Sequence, residues 1–443
     1  MTANKEHSPL SGGYSPFLTI QKDGRIRDVF LEKADIVLGR AGDCGIILED
    51  DNTVSPHHAR LLLENGTWFL ADAGSTGGCF LNALPVTKKK PLKHLDTIQL
   101  GSTMLIFNDP ETVPQKKSDP HADPGVFDFD SLQQVIRRLE ENISQVFKGK
   151  KEVIRHLIVC LLADGHLLLE DAPGVGKSLL AQTLAKSVQA RYKRIQFTPD
   201  MLPSDVTGMN IYDEMQKDFR FLPGPIFGNV ILADEINRTT PRTQSSLLEC
   251  MSEAAVTVDG KCHLLPKPFF VIATQNPGDY QGTYPLPEPQ LDRFLMCLNI
   301  GYPSFQAEKE ILDTQISGEV LSRISYVISS SDVIRCQALV REITVSDAIK
   351  NYIISIADAT RSHQALVNGT SPRATLALMR ASQSFAACSG RNYVTPQDVK
   401  QMLKPVFAHR LTLKLRARAE WKSVEYVLDK IIESVKLKNE DRL

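Results

Sequence analysis

Several features that mark large classes of protein are missing from this sequence. No two of its eight cysteines are spaced as Cys-x-x-Cys; they stand singly at 44, 79, 160, 250, 262, 297, 336 and 388. That argues against a zinc site or a disulfide framework and fits a reducing compartment. No apolar run reaches the ~18–20 residues that cross a bilayer, and the polar start MTANKEHSPLSGGYS has no signal-like apolar stretch. Neither sign of charge dominates, since 51 basic residues face 52 acidic ones, and no basic stripe interleaved with aromatics suggests a nucleic-acid partner. The expectation is a cytoplasmic chain without a membrane span. At 443 residues it is too long for a single core.

What is present begins, after a polar leader (1–15) expected to be disordered, with a series of short apolar runs. FLTIQ, VFLE, DIVLGR, GIILE, ARLLLE, TWFLAD, TIQLG and TMLIF are split by turns such as Glu64-Asn65-Gly66. Strands at roughly 8–12-residue spacing predict an all-β sandwich over 16–108. The stretch NDPETVPQKKSDPHADPG carries four prolines and little that could enter a core, so 109–126 reads as a Pro-rich linker.

Beyond the linker, Leu132, Val135, Ile136, Leu139, Ile143 and Val146 recur at helical spacing, and a second apolar helix follows. Then HLLLEDAPGVGKS joins an apolar strand, a glycine loop and a helix start. Such a loop cradles phosphates with backbone N–H groups and the helix N-terminus. Pro173, Gly174, Val175, Gly176, Lys177, Ser178 and Leu179 form the candidate nucleotide-binding run, with Lys177 on the β- and γ-phosphates and the Ser178 hydroxyl on Mg²⁺. The general motif starts on Gly six residues before the Lys; here that residue is Asp171. The runs RIQFT, VILAD, FFVIAT and LMCLN read as buried parallel strands of a doubly wound α/β sheet. VILAD ends in Asp234, followed by Glu235: the first would hold Mg²⁺ and the second would polarise water. Asn276, just after FFVIATQ, could orient that water or simply form a turn before Pro277. From residue 302 the strand signals give way to helical faces, such as Val345, Ile349, Tyr352, Ile353 and Ile356, then Leu376, Leu378 and Met379, with a Thr395-Pro396 helix start.

Two resemblances sharpen this. Gly39-Arg40, the run Val54-Ser55-Pro56-His57-His58-Ala59 and the run Asp72-Ala73-Gly74-Ser75-Thr76-Gly77-Gly78 resemble the forkhead-associated (FHA) domain. This implies that Arg40, Ser55 and Thr76 hold the phosphate of a phosphothreonine protein, with Gly39 and His58 holding loops. Gly77 stands where that family has Asn, and Lys93-His94-Leu95-Asp96 replaces its usual turn. The blocks FTPDMLPSDVTG, LADEINRTTPRTQSSLLECMSE, FFVIATQNPGDYQGTYPLPEPQLDRF and GTSPRA, in this order, resemble the MoxR-type AAA+ ATPases, in which an Asp at position 171 is ordinary.

The second resemblance implies an α/β P-loop AAA+ core (127–301), an all-α lid (302–437) and a short tail (438–443). It implies ATP and Mg²⁺, Asn276 as the sensor beside the phosphates, and Arg293 as an arginine finger reaching a neighbouring subunit. Arg373 corresponds to the second sensor, in the lid. For Arg293 a pairing with Asp292 or another carboxylate is the alternative; for Arg373 it is a solvated place at a helix start. Segments 209–221 and 253–266 correspond to hairpins of such motors, or are plain surface hairpins. A homo-oligomeric ring, six subunits by family precedent, is implied, with partners such as von Willebrand A-domain proteins. The expected function is an ATP-hydrolysing motor that remodels a partner and is recruited through phosphothreonine. The alternative is a phosphopeptide-binding scaffold whose ATP binding only drives assembly.

Overall fold

The computed structural model describes residues 16–22, 25–31, 33–94, 96–109, 127–172, 174–213, 218–276, 283–316, 321 and 324–436. The leader 1–15, nearly all of the linker and the tail lie outside the described residues. The chain forms two compact units. One comprises Met1–Gly125, Met209–Pro223 and Thr257–Pro266; the other comprises Val126–Gly208, Gly224–Val256 and Lys267–Leu443.

The first unit is built on eleven strands: β1 (Phe17–Lys22), β2 (Arg25–Phe30), β3 (Asp35–Gly39), β4 (Ile46–Ile47), β5 (Ala59–Glu64), β6 (Thr67–Asp72), β7 (Cys79–Leu81), β8 (Leu84–Pro85), β9 (Lys90–Pro91), β10 (Thr97–Leu100) and β11 (Thr103–Asn108). They make two sheets, β2-β1-β11-β10-β7-β8 and β4-β3-β5-β6-β9. Alternate residues Leu38, Leu61, Leu70, Ile98 and Leu100 point between the sheets and are fully buried, as a sandwich of half-apolar strands requires. Asn65 and Gly66, at φ 49° and 77°, close the β5–β6 hairpin in the left-handed region that favours Asn-Gly. The same unit holds the two expected hairpins. Phe221 of one stacks on His263 of the other at 4.1 Å, and Phe80 meets the edge of that imidazole.

The second unit opens with α1 (Phe129–Val146) and α2 (Lys151–Leu162). Asp128 caps α1, its carboxylate accepting from the Ser131 N–H at 2.9 Å, and the expected apolar face is buried. Along the chain come β12 (Leu167–Glu170), α3 (Lys177–Ser187), β13 (Tyr192–Gln196) and α4 (Pro203–Thr207), and then the first of the two hairpins that belong to the other unit, β14 (Gly208–Asp213) with β15 (Asp218–Pro223). These are followed by β16 (Val230–Asp234), α5 (Pro241–Glu253), the second hairpin, β17 (Ala255–Val258) with β18 (Lys261–Leu264), and β19 (Phe270–Gln275). α6 (Glu288–Leu291) and β20 (Met296–Leu298) complete the α/β part. Its parallel sheet runs β13-β16-β19-β12-β20. β12, β16 and β19 are apolar and buried almost throughout, as central strands covered by helices on both faces must be.

The helices α7 (Phe305–Ile316), α8 (Ser330–Arg341), α9 (Asp347–Ser362), α10 (Pro372–Cys388) and α11 (Pro396–Phe407) follow, with shorter ones after them. The expected start of α11 is a capping box: Thr395 Oγ1 and N–H both reach the Asp398 carboxylate. On α10 the expected face is shifted. Ala374, Ala377, Leu378 and Ala381 are buried, while Leu376 is exposed; small residues let this helix pack closely. No helix among the described residues is long and apolar enough to cross a membrane. All eight cysteines are free.

Candidate functional site

The P-loop emerges from the carboxyl end of β12, the position at which open α/β sheets bind ligands. Gly174 and Gly176 sit at φ 85° and 94°, where side chains are strained. A methyl group built on Gly174 would meet nothing within 4 Å, so the cradle is open where phosphates would lie. α3 begins at Lys177 with no side-chain cap and no acidic residue in its first turn, leaving N–H groups free to meet an anion. Lys177 Nζ donates to the Asp171 carbonyl at 2.6 Å. Burial lowers the pKa of Lys177, while the carboxylates of Asp171, Asp234 and Glu235 oppose that shift. Ser178 is half-buried in the same turn. Pro173 lies outside the described residues. Val175 and Leu179 line an apolar cavity of about 190 Å³ with Phe147, Ile300 and Pro303, open beside the loop and suited to a flat heterocycle.

Asp171, at the position where the general motif has glycine, makes contacts that no glycine could. Its Oδ2 accepts the N–H groups of Ile300 and Gly301, at 2.5 and 2.7 Å. Its own N–H donates to the Gln275 carbonyl at 3.3 Å. The carboxylate thus staples the start of the phosphate loop to the segment that lines the cavity.

β16 places Asp234 directly across from Gln196 of β13. Asp234 Oδ1 accepts from Thr274 Oγ1 at 2.7 Å, and Oδ2 pairs with Arg194 at 2.6 Å. Glu235 takes the left-handed conformation, φ 57°, with its N–H held by Thr274 Oγ1 at 2.9 Å. Its Oε2 accepts from Gln196 Nε2 at 2.8 Å and pairs with Arg238 at 3.3 Å. Asn276 directly follows β19, which lies between β12 and β16, so it stands between the loop strand and the carboxylate strand. Sequence reasoning missed Arg194, Gln196, Arg238 and Thr274. The signal was available for three of them: Arg194 and Gln196 share one face of β13 at spacing two, and Thr274 is the polar residue at the end of an apolar strand.

Arg293 and Arg373 lie elsewhere. Both line a cavity of about 480 Å³ with Arg380, Arg410, Lys267 and Asp164; none of its lining residues belongs to the loop or the carboxylate pair. This cavity adjoins the residues leading into β12, whereas the P-loop leaves its other end. Five residues of extended chain separate His166 from Asp171, about 17 Å. Arg293 does not pair with Asp292. Its NH1 donates to the Leu248 carbonyl at 2.6 Å and to Ser252 Oγ at 2.5 Å. Arg373 occupies the first turn of α10, which is capped by Ser371.

In the sandwich, Arg40, Ser55 and Thr76 come together on three adjacent loops. The Arg40 N–H donates to the Ser55 carbonyl at 3.1 Å and the Ala41 N–H to that of Pro56 at 3.0 Å. A methyl group on Gly39 would stand 2.0 Å from the Pro56 oxygen, so only glycine permits this approach. Ser55 Oγ accepts the Thr76 N–H at 3.0 Å. The Arg40 side chain is exposed, with NH1 on Asn52 Oδ1 at 3.3 Å. His58 is buried: Nδ1 accepts the Ser55 N–H at 3.0 Å, and Nε2 lies 3.1 Å from the Gly78 carbonyl. An exposed guanidinium beside a serine hydroxyl is a donor pair chemically suited to a phosphate dianion.

Comparison with known proteins bears on all three regions. Residues 166–296 match the ATPase family associated with various cellular activities (AAA), residues 358–431 the AAA lid domain, and residues 36–101 the FHA domain. The uncharacterized protein YeaC of Bacillus subtilis is 46% identical over 308 residues, covering 70% of this chain and 96% of its own. The chaperone MoxR1 of Mycobacterium tuberculosis is 39% identical over 304 residues, covering 67% and 80%. A crystal structure of a candidate ATPase from Cytophaga hutchinsonii superimposes with a TM-score of 0.66 at 35% identity, covering 70% of this chain and 97% of that one.

Proposed function

The chain belongs to the MoxR family of AAA+ ATPases and carries an FHA domain, and from that premise we propose that it hydrolyses ATP in a closed homo-oligomeric ring to remodel or activate a partner protein. The observation that carries this reading is the split site. The phosphate cradle and carboxylate pair stand at one end of β12, and Arg293 with Arg373 at the other. Such a site is completed by the arginines of a neighbouring copy, which favours a head-to-tail assembly that closes.

In this reading the first turn of α3 and Lys177 bind the phosphate chain, and the apolar cavity takes the base. Ser178 and Asp234 would hold Mg²⁺, which would offset phosphate charge. Glu235, once released from Gln196 and Arg238, accepts a proton from the attacking water, and Asn276 orients that water. Arg293 and Arg373 of the adjacent subunit stabilise the charge that develops on the transferred phosphoryl group. Arg40, Ser55 and Thr76 grip a phosphothreonine and so bring the motor to a phosphorylated protein.

Glu235→Gln is expected to bind ATP normally and lose turnover, while Lys177→Ala loses binding. An unchanged hydrolysis rate in Glu235→Gln would sink the mechanism and leave the scaffold reading. For the sandwich, wild type should bind a phosphothreonine peptide at least about tenfold more tightly than its plain counterpart, a preference lost in Arg40→Ala. Equal affinity of wild type for both peptides would refute the reader role.

A further inference from the structure

Asp292, the neighbour of Arg293, is engaged by a different arginine. Arg410 is only 7% exposed, and its Nε donates to Asp292 Oδ1 at 2.9 Å. Its NH2 donates to the carbonyls of Phe294 at 2.5 Å and Asp292 at 3.3 Å, and its NH1 to those of Leu295 at 3.4 Å and Val406. One planar fork therefore holds the backbone on both sides of Arg293. The second carboxylate oxygen of Asp292 accepts from Ser371 Oγ at 2.9 Å. That same Ser371 oxygen accepts the Ala374 N–H at 3.1 Å and caps α10, whose second residue is Arg373.

We propose that Arg410 and Asp292 are positioning residues that lock Arg293 and Arg373 into one rigid surface for presentation to the neighbouring subunit's nucleotide. The inference rests on the reading that these two arginines act across a subunit interface. The alternative is a buried ion pair that serves stability alone. Such pairs contribute little net stability, because desolvation offsets their attraction. Burial, with the charge of Arg373, lowers the pKa of Arg410 to about 10, so it stays charged at neutral pH. A buried charge that grips three carbonyls around the finger residue and, through Asp292, the cap of the second arginine's helix is placed for alignment. Without this latch the finger segment keeps its sequence but loses its fixed direction.

The test compares Arg410→Met, Arg410→Lys, Asp292→Asn and Arg293→Ala, each as the full-length chain, in ATP hydrolysis and in fluorescent-ATP binding. Positioning predicts that Arg410→Met and Asp292→Asn lower kcat at least about tenfold while nucleotide affinity stays within about threefold, since the phosphate cradle is untouched. Arg410→Lys keeps the charge but loses the fork, and should be nearly as impaired. Mixing supplies the readout that a stability role would not move. Lys177→Ala subunits bind no nucleotide but present an intact finger, so mixing them with Arg410→Met or Asp292→Asn should recover turnover above that of either protein alone. Mixing Arg410→Met or Asp292→Asn with Arg293→Ala, where neither subunit presents a working finger, should not. If Arg410→Met fails to fold, Asp292→Asn, nearly identical in shape, carries the same comparison. Wild-type turnover in Asp292→Asn, or a loss that no Lys177→Ala partner rescues, overturns the proposal. Unchanged turnover in Arg293→Ala overturns instead the finger reading on which it rests.

Discussion

Asp171 offers the sharpest test of how the nucleotide site is held together. Replacing it with alanine removes the acceptor shared by the Ile300 and Gly301 N–H groups and leaves the loop's own backbone in place. The Lys177 contact is to the Asp171 carbonyl and survives the change. A hydrogen bond to a charged group contributes roughly 1.5–3 kcal/mol, and two half-buried donors left partly to water cost about 3 kcal/mol together. If that cost falls on the nucleotide-competent arrangement of loop and cavity, affinity for ATP drops about 100-fold, at 1.4 kcal/mol per decade. Asn keeps one neutral acceptor of roughly half the strength, so Asp171→Asn should lose about tenfold. The assay is a titration with fluorescent ATP, run beside urea unfolding to separate binding from global stability. If Asp171→Ala binds within threefold of wild type and unfolds at the same urea concentration, the staple holds nothing that matters and the reasoning fails.

Two further expectations follow from charges near the site. Arg194 pairs with Asp234, the carboxylate proposed to hold Mg²⁺, in a half-exposed contact worth about 0.5–1 kcal/mol, so Arg194→Ala should lower the half-saturating Mg²⁺ concentration about two- to fivefold; an unchanged or higher requirement in a Mg²⁺ titration contradicts this. His166 is buried, with Nδ1 accepting the Val271 N–H at 3.2 Å and Nε2 lying 3.1 Å from the Met251 carbonyl, and burial lowers its pKa. The folded ring resists the proton that the unfolded one takes below about pH 6.5, so acid favours unfolding, by at most roughly 1.4 kcal/mol per pH unit from this group. His166→Gln should flatten that part of the stability curve between pH 6.5 and 5, and equal slopes in both proteins would refute it.

The sites read from the sequence differ in how far their residues are spread along the chain. The phosphate loop was legible because strand, glycines, lysine and helix start are contiguous, and backbone geometry follows from those few residues. Asp234 and Glu235 were legible because an apolar run that ends in two acids has one sensible place in a parallel sheet, its carboxyl end. The capping box at Thr395 and the Asn65-Gly66 hairpin are local for the same reason. The face of α10 was misjudged at Leu376, since alanines carry little apolar signal although they pack closely.

What the sequence by itself supplied is therefore the chemistry: a phosphate cradle, a carboxylate pair, an arginine among loops that resemble a phosphopeptide reader, and two arginines assigned by resemblance to a finger and a second sensor. Tertiary structure alone decided how these are deployed. It turned Asp171 from a departure into a staple 129 residues from its partner Ile300. It set Gln196 and Arg238 on Glu235, and it gathered Arg293 and Arg373 in one cavity apart from this subunit's own loop and carboxylates. It also gave Asp292 to Arg410, 118 residues away, rather than to its neighbour. The physical reason is common to all of these. A motif's backbone conformation is written in adjacent residues, whereas the partner of a buried polar group is chosen by which distant segments the packed core brings within 3 Å.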